Sequence, residues 1–235
     1  MGVLAIADAL RGSGEEETAP PPPRPTVEAP QPSPGLVQRL RAEGPAGTLL
    51  LVDDGCRLLD VTLPELKATE RPGALCAVGP RPVQRAPARL TDDDLRRAGV
   101  ADPRVAAAVE LSPGRDALLL AWPGGGWVLA FYEGRELAAS HRFDAEGEAR
   151  IDAAPGGSLV AVPPARIFRR DGTPVRLAPR FRNARAVAWS PDGRWTALAM
   201  RGATVLVPTQ GLVGGAEARR AIRLPFPARD VAWTG

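Results

Sequence analysis

The sequence has few of the residues on which many enzyme sites and membrane anchors depend. Its 235 residues include one histidine, His141, and two cysteines, Cys56 and Cys76. A single histidine argues against a His-rich metal site and leaves a Ser-His-Asp triad only one candidate base. No run of 18 apolar residues exists, so no uninterrupted helix is expected to span a bilayer. We therefore expect no metal and no cofactor.

Lysine and aromatic side chains are also scarce. Lys67 is the one lysine among 30 basic residues, and aromatic residues make up only 5% of the chain. A GC-rich genome encodes arginine in place of lysine whatever the function of the protein. The sequence pI of about 9.5 is therefore no specific signal for a nucleic-acid partner.

Proline, in contrast, is abundant near the N-terminus, between positions 20 and 34. This tract follows ten mostly apolar residues and three consecutive glutamates, and such tracts form extended spacers. We divide the chain into an apolar start with a proline-rich, disordered stalk (residues 1–40) and a folded domain (residues 41–235). This order is typical of an extracytoplasmic protein, tethered to a membrane or secreted, whose true N-terminus extends upstream into an anchor. A cytoplasmic protein with a frayed tail is the alternative.

After residue 40, short apolar runs alternate with Gly, Pro and Asp-Gly turns. This spacing predicts many short strands and hence an all-β domain. Residues 175–181 are among the predicted strands. Only residues 91–99 look helical, with Thr91 as the N-cap and Gly99 as the stop.

The predicted strands recur as a repeat. The clearest copy is AVAWSPDGRWTALA at residues 186–199, and related copies lie at residues 105–121, 150–162 and 229–235. Spacings of this kind, roughly 40 residues, describe the blades of a propeller. The S-P-D-G turn and its flanking strands resemble the repeats of TolB-type and WD-like β-propellers of bacterial appearance. The Trp-Asp and Gly-His pairs of true WD repeats are missing, so the TolB-like branch fits better.

The repeat also predicts how the ring closes. Residues 105–146, 147–182 and 184–227 form three units, the copy at 229–235 is one strand, and the hairpin at 47–63 lacks an inner strand. We predict a small propeller of four blades, closed by pairing the C-terminal strand with the N-terminal hairpin. A fifth blade within residues 75–101, an open fragment, or closure between two chains are the alternatives.

Two sets of residues are candidates for covalent or catalytic chemistry. Cys56 and Cys76, an even pair behind a possible anchor, predict a disulfide, and two buried reduced cysteines are the alternative. Glu110, Asp152 and Asp230 fall on predicted inner strands and could form an acidic site at the channel mouth, as in glycosidase-type propellers. Solvated strand ends explain these acids equally well.

Charge is distributed unevenly along the chain. Residues 1–163 carry 17 basic and 23 acidic side chains, whereas residues 164–235 carry 13 arginines and four acids. A basic face of this kind could bind a protein or an anionic polymer, and an ordinary solvated face is the alternative. Its members are Arg166, Arg169, Arg170, Arg176 and Arg180.

The sequence favours a non-enzymatic binding or scaffold propeller whose ligand it does not name, because fold does not dictate ligand. The alternatives are a hydrolase-like enzyme with acids at the channel mouth and the sensor domain of a membrane signalling protein.

Overall fold

The computed structural model describes residues 32–78, 83–122, 125–144 and 149–234, which contain four sheets of four antiparallel strands. Blade 1 contains, in spatial order, β16 (Asp230–Thr234), β1 (Gly47–Val52), β2 (Arg57–Leu63) and β3 (Lys67–Ala74). Blade 2 contains β4 (Arg104–Ser112), β5 (Arg115–Trp122), β6 (Gly126–Glu133) and β7 (Glu136–Asp144). Blade 3 contains β8 (Asp152–Ala153), β9 (Leu159–Val162), β10 (Arg166–Arg169) and β11 (Pro174–Val175). Blade 4 contains β12 (Ala186–Trp189), β13 (Trp195–Met200), β14 (Ala203–Pro208) and β15 (Ile222–Leu224).

These sheets form a small four-bladed β-propeller, which confirms the predicted fold. The first strand of each blade is the inner one, and β12 lies beside β16 while β4 lies beside β8. β16 pairs with β1 in antiparallel register, with Leu49 opposite Trp233 and Leu51 opposite Val231. The C-terminal strand therefore closes the ring on the N-terminal hairpin, as the repeat predicts.

The described residues of the segment 75–101 contain no fifth blade. They contain the short helix α2 (Asp92–Arg96) and one isolated bridge, between Val83 and Ala108 of β4. Thr91 is the N-cap of α2, as predicted, and its side chain accepts a hydrogen bond from the Asp94 backbone N–H. The helix packs against blade 2, where the Tyr132 hydroxyl donates to the Asp94 carbonyl.

Three local predictions differ from the structure. The strand expected at residues 175–181 is limited to β11, because Pro179 begins a 3₁₀ turn (Pro179–Phe181) that buries Phe181. β3 was not predicted, because its sequence KATERPGA lacks the apolar alternation of a half-buried strand. Helix α1 (Pro34–Glu43) crosses the predicted boundary between the stalk (residues 1–40) and the domain, and its Leu40 is buried.

The cores lie mainly between adjacent blades, where apolar side chains from the two facing sheets interlock. Gly157 shows how closely two blades approach one another. It has a φ of 64°, and a Cβ placed there would lie 1.8 Å from the Leu111 carbonyl oxygen of blade 2. Only glycine fits this contact.

The inner strands β16, β12 and β8 begin at the same end of the channel. We call this end the upper face; it also carries the β1–β2 turn and the β9–β10 turn. The opposite end, the lower face, carries the S-P-D-G turn between β12 and β13. In that turn Gly193 has a φ of 70° and Asp192 accepts a hydrogen bond from the Arg194 backbone N–H.

Candidate functional site at the upper end of the channel

A cavity of about 240 Å³ opens on the upper face, and we call it the upper cavity. Its floor consists of Arg150, which precedes β8, Asp152 of β8 and Asp230 of β16. Arg185 and Arg229, which directly precede β12 and β16, also line it. The cavity thus brings together side chains from three blades.

Arg150 connects opposite sides of the channel. Its Nε donates to Asp152 Oδ2 at 2.7 Å, and its Nη1 donates to Asp230 Oδ1 at 2.6 Å. None of the three side chains is more than 13% exposed. Asp152 belongs to blade 3 and Asp230 to blade 1, which are opposite one another in a ring of four. We call this group of three residues the brace.

Burial and charge act in opposite directions on the brace. Burial disfavours the guanidinium cation, but attraction to Asp152 and Asp230 outweighs it and raises the pKa of Arg150. Burial also raises the pKa of Asp152, and the attraction of Arg150 offsets this only in part. The brace therefore combines a permanently charged arginine with carboxylates that are costly to leave unpaired.

Residues 76–78, which we call the strap, pass beside the brace. Cys76 and Ala77 line the upper cavity, while Val78 lines a second cavity of about 360 Å³. The Val78 backbone N–H donates to Asp230 Oδ2 at 2.8 Å. The strap therefore contacts the brace directly and extends along the channel from one cavity to the other.

A disulfide fixes the upper end of the strap. Cys76 is bonded to Cys56, which confirms the predicted pairing. Cys56 lies in the β1–β2 turn, which Asp53 organises by accepting the backbone N–H groups of Gly55 at 2.8 Å and Arg57 at 2.9 Å. One wall of the upper cavity is thus covalently attached to blade 1.

The second cavity, here the lower cavity, lies on the other side of the brace. Arg150 and Asp152 line both cavities, so the brace separates them. Trp189 and Trp233, near the lower ends of β12 and β16, also line the lower cavity while packing against the cores between blades. The channel is therefore divided into an upper and a lower compartment.

The three acids singled out in the sequence do not form one site. Asp152 and Asp230 come together, but both bond the same guanidinium. Glu110 is exposed on β4, opposite Asp116, and Asp116 is buried against Arg89. Among the described residues, the channel acids therefore offer no free carboxylate pair of the kind that glycoside hydrolysis requires.

The five arginines of the predicted basic face lie at two ends of blade 3 and in the turn that follows it. Arg166 begins β10 at the upper face, and the β10–β11 register, continued by one residue, places Arg176 opposite it. Arg180 follows in the 3₁₀ turn, after Ala178, whose backbone N–H donates to the Leu212 carbonyl of blade 4. Arg169 and Arg170 lie at the lower end of β10, where the Arg170 N–H donates to the Ser158 carbonyl.

Two of these arginines, Arg166 and Arg180, contact aromatic rings more than acids. The guanidinium carbon of Arg166 lies 4.6 Å from the ring centre of Phe143, and that of Arg180 lies 4.9 Å from the ring centre of Phe181. Within the described ranges, none of the five predicted arginines has a carboxylate oxygen within 4.0 Å. Their charge is thus available to a partner.

His141 has a structural role. Its Nε2 lies 2.7 Å from the Gly172 carbonyl oxygen and its ring packs on Phe168, which joins blade 2 to blade 3. Among the described residues, no group of three metal-ligating side chains is found. No helix in the part of the chain covered by the structure is long and apolar enough to cross a membrane.

Arg150 was not singled out in the sequence, although a signal for it exists. When the repeats are aligned on the turn proline, Arg150 falls at the position of Ala186 in the clearest copy, and Asp230 occupies that same position in the C-terminal copy. Opposite charges at one repeat position indicate a pair across the ring.

Comparison with solved structures finds a weak similarity to a β-propeller domain. The chain is similar to the solved β-propeller domain of Cps50 (Swd1) from Myceliophteria thermophila, with 14% sequence identity and a TM-score of 0.36. The similarity covers 77% of this chain, which spans 58% of that one. No protein-family model matches the chain, and a search of curated proteins found no match.

Proposed function

We propose that this chain is a non-enzymatic binding propeller that holds an acidic protein segment on its upper face. This proposal rests on the segment from residue 176 to residue 185, which we call the arginine path. This path connects the outer edge of blade 3 with the upper cavity and carries four arginines and no acid. They are Arg176, Arg180, Arg182 and Arg185.

The charges on this path are exposed and mostly uncompensated. Arg176, Arg180 and Arg182 are exposed, and no carboxylate oxygen of the described residues lies within 4.0 Å of them. Arg185 bonds Asp54 at 2.6 Å, but the side chain of Asp54 is 75% exposed, so water and salt weaken this pair. A row of cations with few acids attracts an anionic partner and speeds its association.

The disulfide supports a place of action outside the reducing cytoplasm. Disulfides persist in oxidising compartments and are rare where glutathione and thioredoxin keep thiols reduced. We therefore propose an extracytoplasmic protein in which the part of residues 1–40 that precedes helix α1 serves as a tether. Attachment of this tether to a membrane is part of the same proposal.

The proposal is tested with fluorescein-labelled poly-L-glutamate, a simple acidic polypeptide, by fluorescence anisotropy. The variant Arg176→Gln/Arg180→Gln/Arg182→Gln removes three charges from this path, whose last residue lines the upper cavity, and we call it the upper variant. We expect about a tenfold loss of affinity, because three rim charges each contribute a few tenths to one kcal/mol. Affinity for the unchanged protein should fall as salt rises.

The matched control removes three charges from the lower face. Arg169, Arg170 and Arg219 are exposed arginines there, and no carboxylate oxygen of the described residues lies within 4.0 Å of them. The variant Arg169→Gln/Arg170→Gln/Arg219→Gln has the same net charge as the upper variant and should bind nearly as well as the unchanged protein. Equal losses for the two variants would mean unspecific attraction and would refute the proposal.

A further inference from the structure

The upper cavity shares Arg185 with the arginine path of residues 176–185, but it also has features of a small-molecule site that the path lacks. We infer that it binds a carboxylate group attached to a short aliphatic body. This inference goes beyond the binding of an acidic protein segment, because it concerns a concave pocket at the channel axis rather than a charged surface.

Most of the cavity wall is aliphatic. The β9–β10 turn and the first residues of β12 supply Val162, Pro163, Ala165, Ala186 and Val187. These side chains are small and carry no hydrogen-bonding groups. A volume of about 240 Å³ corresponds to roughly eight waters at liquid density, enough for a ligand of the size of a short branched acid. Apolar walls with a few placed polar groups are typical of small-molecule sites.

Outside the brace, the two charged side chains that line the cavity are both arginines, Arg185, which pairs with the exposed Asp54, and Arg229. The carboxylates of the floor are already engaged: Asp152 accepts from Arg150, and Asp230 accepts from Arg150 and from the backbone N–H groups of Val78 and Val231. Because both carboxylates are already paired with Arg150, a cationic ligand would have to displace this guanidinium before it could bind them. The cavity lining has three arginines against two aspartates, and two of these arginines are outside the brace.

Those two arginines occupy equivalent positions in neighbouring blades. Arg185 directly precedes β12 and Arg229 directly precedes β16, in the repeated sequences RAVAW and RDVAW, and β12 lies beside β16. The Arg229 backbone N–H donates to the Val52 carbonyl at 2.7 Å, which fixes the chain at this point. Its exposed side chain has no carboxylate oxygen of the described residues within 4.0 Å. A carboxylate at this rim would receive charge-assisted hydrogen bonds.

The wall opposite the aliphatic residues is held in place before any ligand arrives. Cys76 and Ala77 belong to the strap, which is tied to Cys56 by the disulfide and to Asp230 through Val78. A preformed wall lowers the conformational entropy that binding must overcome. The cavity therefore has the shape, the charge and the rigidity for an aliphatic carboxylate.

Isothermal titration calorimetry of the full chain tests this inference with two carboxylates that share the chemistry. Isovalerate represents a free small acid, and N-acetyl-L-valine represents the C-terminal residue of a polypeptide. 3-Methyl-1-butanol, which keeps the aliphatic body and lacks the charge, serves as the neutral comparison. We expect saturable binding of at least one carboxylate and binding of the alcohol at least about tenfold weaker.

Two variants locate the site. Arg229→Gln removes the uncompensated rim charge and should weaken binding at least about tenfold. Ala186→Phe fills the cavity from a partly exposed position and should abolish binding while keeping every charge. Arg219→Gln on the lower face is the control and should leave binding unchanged, and thermal melts of all variants verify folding.

Each possible result of these titrations either supports the inference or refutes it. Binding of isovalerate alone identifies a free small acid, and tighter binding of N-acetyl-L-valine identifies a chain end. Absence of binding for both carboxylates, equal binding of the alcohol, or unchanged affinity in Ala186→Phe would overturn it. The polyglutamate experiment uses different variants, so failure of one proposal leaves the other standing.

Discussion

Blade 2 and blade 3 are neighbours in one ring, yet they are built in different ways. The strands of blade 2 are eight or nine residues long and pair along nearly their whole length. In blade 3 the inner and outer strands, β8 and β11, have two residues each. Backbone pairing thus supports blade 2, whereas blade 3 depends on side chains.

The side chains that support blade 3 are also those at the candidate site. The brace attaches β8 to blade 1 across the channel, and His141 attaches the β10–β11 turn to blade 2. Because β8 is short, the chain before it is free to aim Arg150 into the channel. The loss of regular pairing in blade 3 thus leaves room for a charged channel floor and an aliphatic cavity wall.

The largest expected effect comes from breaking the brace. Arg150→Met leaves Asp152 and Asp230 buried without their cation, so we expect a loss of about 3–5 kcal/mol in the free energy of unfolding. Urea denaturation of the variant and the unchanged protein measures it.

The matched control lies in blade 2. Arg115 bonds Glu133 at 2.6 Å across a hairpin end, with both side chains more than one third exposed. Arg115→Met should cost at most about 1 kcal/mol. Similar losses for the two variants would contradict the view that the buried brace of blade 3 contributes more to stability than the exposed Arg115–Glu133 pair of blade 2.

The second effect concerns the disulfide. Cys56→Ser/Cys76→Ser opens a loop of 20 residues and should lower the free energy of unfolding by about 3 kcal/mol. The strap bonds Asp230 through Val78, so this loss should couple to that of Arg150→Met by at least about 0.5 kcal/mol in a double-mutant cycle. The cycle with Arg115→Met should be additive. Equal coupling in the two cycles would show that the strap does not act through the brace.

Much of this architecture could be predicted from the sequence because it rests on local patterns. The copy RDVAWTG at the C-terminus predicts a strand that pairs with the first hairpin, and the S-P-D-G turn is decided by residues within five positions of one another. The disulfide followed from the pairing of two lone cysteines.

The rest depends on which residues face one another across the ring. The acids Asp152 and Asp230 could be assigned to inner strands, but their partner is Arg150, which precedes a strand and lies on the opposite side of the channel from Asp230. The basic residues of blade 3 were predicted as one face, while the turn after β10 places Arg169 and Arg170 at the other end of the blade from Arg166. The position of a residue along its strand can be predicted from nearby sequence, whereas the residue that faces it across the channel cannot.

The smallest expected effect concerns the pH dependence of stability. It compares one acid packed on blade 2 with one acid of blade 3. Thr91 and Arg135 bond Asp94, in the helix packed on blade 2, and hold its pKa at about 2. In blade 3, burial raises the pKa of Asp152 above its usual 3.8. Acidification should therefore remove the stabilising contribution of Asp94 between pH 3.8 and about 2, whereas protonation of Asp152 should favour the folded state at pH values above 3.8.

Carboxyl ¹³C chemical shifts followed by NMR from pH 6 to pH 2 measure the two pKa values directly. Asp94→Asn and Asp152→Asn provide the assignment, and their urea denaturation at each pH gives the corresponding stability change. Relative to the unchanged protein, Asp94→Asn should make stability less sensitive to acid below pH 4, because the group that loses its partners on protonation is gone. Asp152→Asn should shift the pH dependence in the opposite direction. A shift of the same sign in both variants would mean that the two carboxyls, one in a capping box and one in a buried brace, sit in equivalent environments.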